Sequence, residues 1–158
     1  MLGIERLKPN VGPQIDLQRF ADSDLAMRLY GEVGRDWAWN DRSHWGLDDW
    51  TARVDQPDVE FYAAYRDGKT VGYFELERQG EETQIAYFGL LPEFIGQGLG
   101  GSLLTKATET AFANGERRVW LHTCTLDAPA ALPNYLARGF VEFKRETKII
   151  DGQAEKSG

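Results

Sequence analysis

From Pro13 to Phe20 the chain reads Pro-Gln-Ile-Asp-Leu-Gln-Arg-Phe, an apolar–polar alternation with the period of a half-buried strand. Asp22 or Ser23 then offers a cap for a helix carrying Leu25, Leu29 and Tyr30, until Gly31 and Gly34 loosen the pattern. The centre is sharper. Val59 to Tyr65 predicts a strand, Asp67-Gly68 a tight turn, and Val71 to Leu76 the returning strand. Gln79-Gly80-Glu81 predicts a second turn, and Gln84 to Leu91 a third strand ending at Pro92, so these segments form an antiparallel meander. Past the glycines of residues 96–101, the residues Leu99, Leu103, Leu104, Ala107, Ala111 and Phe112 recur at helical spacing up to Gly115.

Val119 to Thr125 has the β-branched and aromatic content of a further strand. Asp127 would cap a helix carrying Ala131, Leu132, Tyr135 and Leu136, closed by Gly139 just past its end. Pro133 lies inside that helix and predicts a kink before Tyr135. Phe140 to Ile150 supplies one or two last strands. The order β-α-(α)-β-β-β-α-β-α-β implies an α/β fold of the α+β type, with helices on both faces of a mixed sheet. At 158 residues the chain is expected to form a single domain, 1–158.

The stretch with most chemical content is Leu90-Leu91-Pro92-Glu93-Phe94-Ile95-Gly96-Gln97-Gly98-Leu99-Gly100-Gly101-Ser102. Glycines let backbone approach a ligand closely, and the helix that follows presents unpaired N–H groups at the positive end of its dipole. Phosphate or pyrophosphate is the natural occupant, against a plain reading as a turn that merely reverses the chain. A P-loop needs a lysine before Ser102, and none is there. The dinucleotide spacing G-x-G-x-x-G is met by Gly96, Gly98 and Gly101. Yet four residues separate it from the strand, and antiparallel hairpins precede it where a βαβ unit should stand.

The same stretch closely resembles motif A of the GNAT family of N-acetyltransferases, [RQ]-x-x-G-x-[GA], which falls on Ile95 to Gly100. Asn134-Tyr135-Leu136-Ala137-Arg138-Gly139-Phe140 is similar to that family's Tyr-x-x-x-Gly-Phe helix ending. The resemblance is specific from about residue 59 to 143 and loose before residue 55. It implies acetyl-CoA as cosubstrate, with its pyrophosphate on the amides of Gly96, Gln97, Gly98, Leu99, Gly100 and Gly101. It further implies that Phe88, Gly89 and Leu90 pair with the pantetheine arm, and that a bulge, expected beside Gly89, splays this strand from Val119–Thr125. Ile95 departs from the family pattern by replacing a polar anchor of the loop.

Acetyl transfer to an amine needs a neutral nucleophile, donors for the developing oxyanion and a proton for the departing thiolate. The resemblance gives the last role to Tyr135. The base stays open among Glu75, Glu77, His44, His122 and a water relay, because Gln84 stands where some family members carry a glutamate. Cys124 lies mid-strand with no activating neighbour in the sequence and reads as a small buried hydrophobe.

Four of the five tryptophans, Trp37, Trp39, Trp45 and Trp50, fall within fourteen residues, among Glu32, Asp36, Asp41, Asp48 and Asp49. Aromatic faces with carboxylates suit an alkylammonium group, so Trp37, Trp39 and Asp41 are candidate acceptor residues. Plain packing of an irregular helical pair on the sheet explains the same residues as well.

Charge and composition narrow the partners. Eighteen Lys and Arg against 25 Asp and Glu give a formal charge of −7, with no basic stripe, which disfavours nucleic acid. The longest apolar run, Ile85 to Leu91, is far below the ~20 residues of a membrane span, and Met1 to Asn10 lacks a leader's apolar stretch. A single cysteine excludes an intramolecular disulfide framework and multi-cysteine zinc sites, so a cytoplasmic protein without a metal is expected. The resemblance to the GNAT family implies an acetyl-CoA-dependent N-acetyltransferase acting on a primary amine of a small molecule, by direct transfer in a ternary complex. The alternative is a non-catalytic acyl-CoA sensor of the same fold, and the resemblance is compatible with a homodimer.

Overall fold

A computed structural model describes residues 2–4, 12–34, 42–113, 116–121 and 131–142. Its elements are β1 (Leu2–Ile4), β2 (Asp16–Phe20), α1 (Ser23–Gly34), α2 (Leu47–Val54), β3 (Val59–Arg66), β4 (Lys69–Gln79), β5 (Glu82–Leu90), α3 (Leu99–Phe112), β6 (Arg118–Leu121), α4 (Ala131–Ala137) and β7 (Val141–Glu142). They form one seven-stranded sheet in the order β2-β3-β4-β5-β6-β1-β7. All pairings are antiparallel except β5 with β6.

The meander forms as its turn chemistry demands. Asp67 and Gly68 both take positive φ, 52° and 76°, which closes a two-residue hairpin whose twist matches the strands. Gly80, at φ 72°, opens the second turn. Asp22 caps α1, its Oδ1 accepting from the Leu25 amide at 3.2 Å. Asp49 does the reciprocal job for α2, accepting from the Gly46 amide at 2.9 Å.

β4 is the middle strand of the meander and is covered on both faces, so Val71 to Leu76 are all buried. Its alternation divides the core in two. Phe74 and Leu76 join Ile85, Leu103, Leu104, Ala107, Val119 and Phe140 under α3 and α4. Tyr73 joins Leu29, Tyr30, Val33, Trp50, Phe61 and Leu91 under α1 and α2. Each fully buried Leu or Phe contributes on the order of 1.5–3 kcal/mol.

Arg78 ties the far end of the sheet to α3. It donates to both Glu60 carboxylate oxygens at 3.1 Å, to Glu116 Oε2 at 2.8 Å, and to the Ala111 and Thr110 carbonyls at 2.7 and 3.3 Å. The last two acceptors are carbonyls of the helix's last turn, that of Thr110 also accepting from the Ala113 amide at 3.2 Å.

One element departs from the expected order: β1, described over Leu2–Ile4, carries no periodic signal and is a strand by its place between β6 and β7. β6 and β7 are described only as Arg118–Leu121 and Val141–Glu142, so residues 122–125 and 143–150 of the expected strands lie outside the described residues, as does Asp127. Pro133 stands within the described part of α4, Ala131–Ala137, as expected.

Candidate active site

β5 leads into the glycine loop. After it, Pro92–Phe94 make a single 3-10 turn, with Phe94 N–H bonded to Leu91 O at 2.9 Å and Ile95 N–H to Pro92 O at 3.3 Å. Gly96 and Gly98 then take φ of 88° and 78°, and α3 starts at Leu99. A Cβ on Gly98 would come no nearer than 3.8 Å to Pro13, so backbone conformation, not space, demands glycine there. Gln97 bridges the loop by donating from Nε2 to Glu93 O at 3.1 Å. The amides of Gly96, Gln97 and Gly98 meet no acceptor among the described residues, and all three residues are exposed. Leu99, 1% exposed, roots the helix in the core, while the Ile95 side chain is 43% exposed. Asn134 of α4 reaches across to donate to Gly100 O at 3.0 Å.

The bulge lies three residues earlier than expected. Leu76 pairs with Ile85 and Glu75 with Tyr87, so Ala86 is the extra residue, while Gly89 pairs regularly with Tyr73. Among the described residues, parallel pairing of β5 with β6 covers Glu82 to Gln84. From Ile85 onward β5 keeps β4 alone as its described strand partner, and this is the stretch that carries Phe88, Gly89 and Leu90. A glycine unmarked by sequence reasoning holds the two strands close: a Cβ on Gly72 would lie 2.5 Å from Gly89 O.

Tyr135 is buried at 6% exposure, its ring 6.3 Å from Phe88 and 6.1 Å from Phe140. The helix end around it is a Schellman motif. Gly139 sits at φ 105°, Phe140 N–H bonds to Tyr135 O at 3.0 Å, and Gly139 N–H bonds to Leu136 O at 3.0 Å. The Tyr-x-x-x-Gly-Phe pattern thus has a folding role of its own, with Tyr135 and Phe140 making the hydrophobic contact that accompanies such caps. The structure brings the loop, β5 and α4 together through Gly100, Phe88 and Tyr135.

On the opposite face of the sheet, Glu75 is fully buried and wholly engaged. Arg42 donates from Nη1 to Oε1 at 2.7 Å and from Nη2 to Oε2 at 3.0 Å, and Arg53 Nε donates to Oε2 at 2.7 Å. Arg53 also reaches Glu77 Oε1 at 3.1 Å. Burial opposes the charge on Arg42, but the hydrogen bonds and attraction of Glu75 outweigh it and hold its pKa above the ordinary arginine value. Fully buried, with both oxygens accepting from these arginines, Glu75 turns neither oxygen toward solvent. Trp45 and Trp50 are likewise used internally: the Arg42 guanidinium lies 4.6 Å from one ring centroid and 5.3 Å from the other. His44 is exposed. Trp37, Trp39, Asp41, His122 and Cys124 lie outside the described residues. Sequence reasoning missed the roles of Arg42, Arg53 and Tyr87, although a glutamate inside the apolar run Val71–Leu76 signals a buried carboxylate that needs a cation.

The sequence model of the acetyltransferase (GNAT) family matches residues 22–140. The chain belongs to the GNAT family. No curated protein matches it. Among solved structures it resembles the PaiA N-acetyltransferase of Thermoplasma acidophilum in complex with coenzyme A, at 15% identity and TM-score 0.62, over 78% of this chain and 87% of that one. It also resembles the aminoglycoside acetyltransferase meta-AAC0020 from an uncultured soil metagenomic sample, at 18% identity and TM-score 0.64, over 85% and 97% of the two chains. A third is AAC(6')-Iy in complex with a bisubstrate analog, at 16% identity and TM-score 0.64, over 85% and 96%. These likenesses establish the GNAT fold. Among the described residues no helix is long and apolar enough to cross a membrane, and no three His, Cys, Asp or Glu side chains gather as a metal site.

Proposed function

We propose that this GNAT domain, spanning residues 1–158, transfers the acetyl group of acetyl-CoA to a primary amine of a small molecule, by direct transfer in a ternary complex. One observation carries the reading: β5 runs straight into a loop whose amides at Gly96, Gln97 and Gly98 have no acceptor among the described residues. Those amides and the α3 N-terminus fit a pyrophosphate, and the backbone of Phe88, Gly89 and Leu90 fits an extended amide-bearing arm. Exposed Ile95 leaves the grip to backbone alone. Support also comes from the neighbours crystallised with coenzyme A and with a bisubstrate analog.

Bound acetyl-CoA supplies the activated acyl group. A C–N bond forms as the C–S bond breaks, the amine gives up a proton and the CoA thiolate takes one. Tyr135, packed against Phe88, is the proposed donor of that last proton. With Glu75 engaged by two arginines, water carries the amine's proton away. Trp37, Trp39 and Asp41 are the proposed acceptor wall, and the aminoglycoside acetyltransferases among the neighbours favour a polyamine-like acceptor. A cytoplasmic protein that acts without nucleic acid or membrane, alone or as a homodimer, accords with its acidic charge. A second reading, an acyl-CoA sensor, draws on the folding role of Tyr135 in its helix cap.

The deciding assay measures CoA thiol release from acetyl-CoA across a panel of primary amines that includes sisomicin and linear polyamines. Amine-dependent release that falls at least tenfold in Tyr135→Phe supports transfer through Tyr135. Binding of acetyl-CoA with no amine-dependent release makes the protein a sensor.

A further inference from the structure

Arg42 is bound much as a foreign ligand would be. Its guanidinium makes a two-pronged contact with Glu75 at 2.7 and 3.0 Å. The faces of Tyr87, Trp45 and Trp50 surround it at 4.4, 4.6 and 5.3 Å. Only 10% of the side chain is exposed, and its backbone amide is held by the Tyr30 hydroxyl at 3.0 Å. Stability alone does not ask for this. A buried carboxylate with its cations is often no better than apolar residues of the same volume, and its neighbours on β4 are Phe74 and Leu76. The parts instead match what recognises a planar cation: a buried carboxylate presenting two oxygens, of which Oε2 is shared with Arg53 Nε at 2.7 Å, and aromatic faces above it.

We infer that Glu75, Tyr87, Trp45 and Trp50 form a guanidinium receptor whose resident ligand is Arg42, and that this resident closes the pocket to free cations. The receptor stands on its own geometry; its meaning for acceptor choice rests on the acetyltransferase reading above. Arg42 is then a specificity-determining residue. Filled from within, the receptor cannot hold the ammonium group of an acceptor, which must be recognised elsewhere on the α1–α2 side. Emptied, it takes an alkylguanidine in preference to an alkylammonium, because a point charge cannot make the fork contact or stack as a plane.

The test is calorimetric titration of Arg42→Ala and of the wild-type protein with methylguanidinium and with methylammonium. Thermal unfolding with acetyl-CoA is run on the same samples, so that a failed cosubstrate reading registers separately. The variant is expected to bind methylguanidinium at millimolar concentration, at least tenfold more tightly than methylammonium, and to regain part of its lost melting temperature. The wild type should bind neither. A folded variant that binds no methylguanidinium, or binds both cations alike, overturns the inference, as does equal binding by the wild type. If Arg42→Ala is unfolded alone, methylguanidinium should restore its circular dichroism where methylammonium does not, and failure to do so counts against the receptor. Arg42→Lys should be clearly less stable than wild type; full stability would show that any positive charge suffices.

Discussion

The two faces of the sheet carry the two ligand-like motifs of the sequence, and they have met opposite fates. At the start of α3, the glycine loop keeps the amides of Gly96, Gln97 and Gly98 without acceptors among the described residues. Under α1 and α2, Trp45 and Trp50 of the tryptophan-rich stretch, together with Glu75 and Tyr87, already hold Arg42. Both motifs have the right chemistry. What separates them is whether the fold supplies a partner from elsewhere in the chain, and a backbone anion site is the harder one to satisfy internally. Each of its N–H groups needs an acceptor at close range, which few side chains can reach in a tight glycine turn.

Removing one member of the filled cluster should have the largest effect. Glu75→Gln leaves two guanidinium groups facing a neutral amide and should destabilise the fold by about 3–5 kcal/mol in urea unfolding. A loss below about 1 kcal/mol would show that the arginines find water instead, and the contrast between the faces would weaken. Next comes the seam joining the faces. In Gly72→Ala a Cβ would meet Gly89 O at 2.5 Å, so β5 must shift, costing roughly 1–3 kcal/mol. Acetyl-CoA affinity should fall with stability, since the displaced strand is the one proposed to pair with the cosubstrate. Unchanged affinity in a destabilised variant would separate Gly89 from that role.

The smallest effect sharpens the comparison from outside both sites. Burial resists the charge on Glu60, but hydrogen bonds from Arg78 and Tyr62 prevail and hold its pKa below the ordinary 4.5. Its contribution to stability is therefore complete above that ordinary value and is lost as pH falls through the lower folded value. Glu60→Gln should melt below wild type at neutral pH, and the gap should close in acid. A gap that persists at low pH would mean that Glu60 acts through packing alone.

Local signals in the sequence carried most of the fold. The Asp67-Gly68 turn, the Asp22 cap, the apolar period of α3 and the Gly139 helix end each depend on residues a few places apart, and each formed as expected. What was hidden depends on distance or on backbone. Arg42 and Glu75 are 33 residues apart, and nothing local announces their pairing. The bulge at Ala86 has no side-chain signature, whereas Gly89 was a plausible marker and stands in regular register. Gly72 was read only as a strand residue, because the carbonyl that forbids a side chain there belongs to another strand.

The central claim is that the glycine loop is where the cosubstrate binds. Thermal unfolding of wild type and Gly98→Asp with saturating acetyl-CoA, CoA or NAD tests it most directly. At a hundred times Kd a bound ligand adds about 2.7 kcal/mol, or roughly 5–11 °C for a domain of this size. The account predicts such a shift with both CoA species and not with NAD, abolished in Gly98→Asp by a carboxylate set against the pyrophosphate. An undiminished CoA shift in that variant would contradict it.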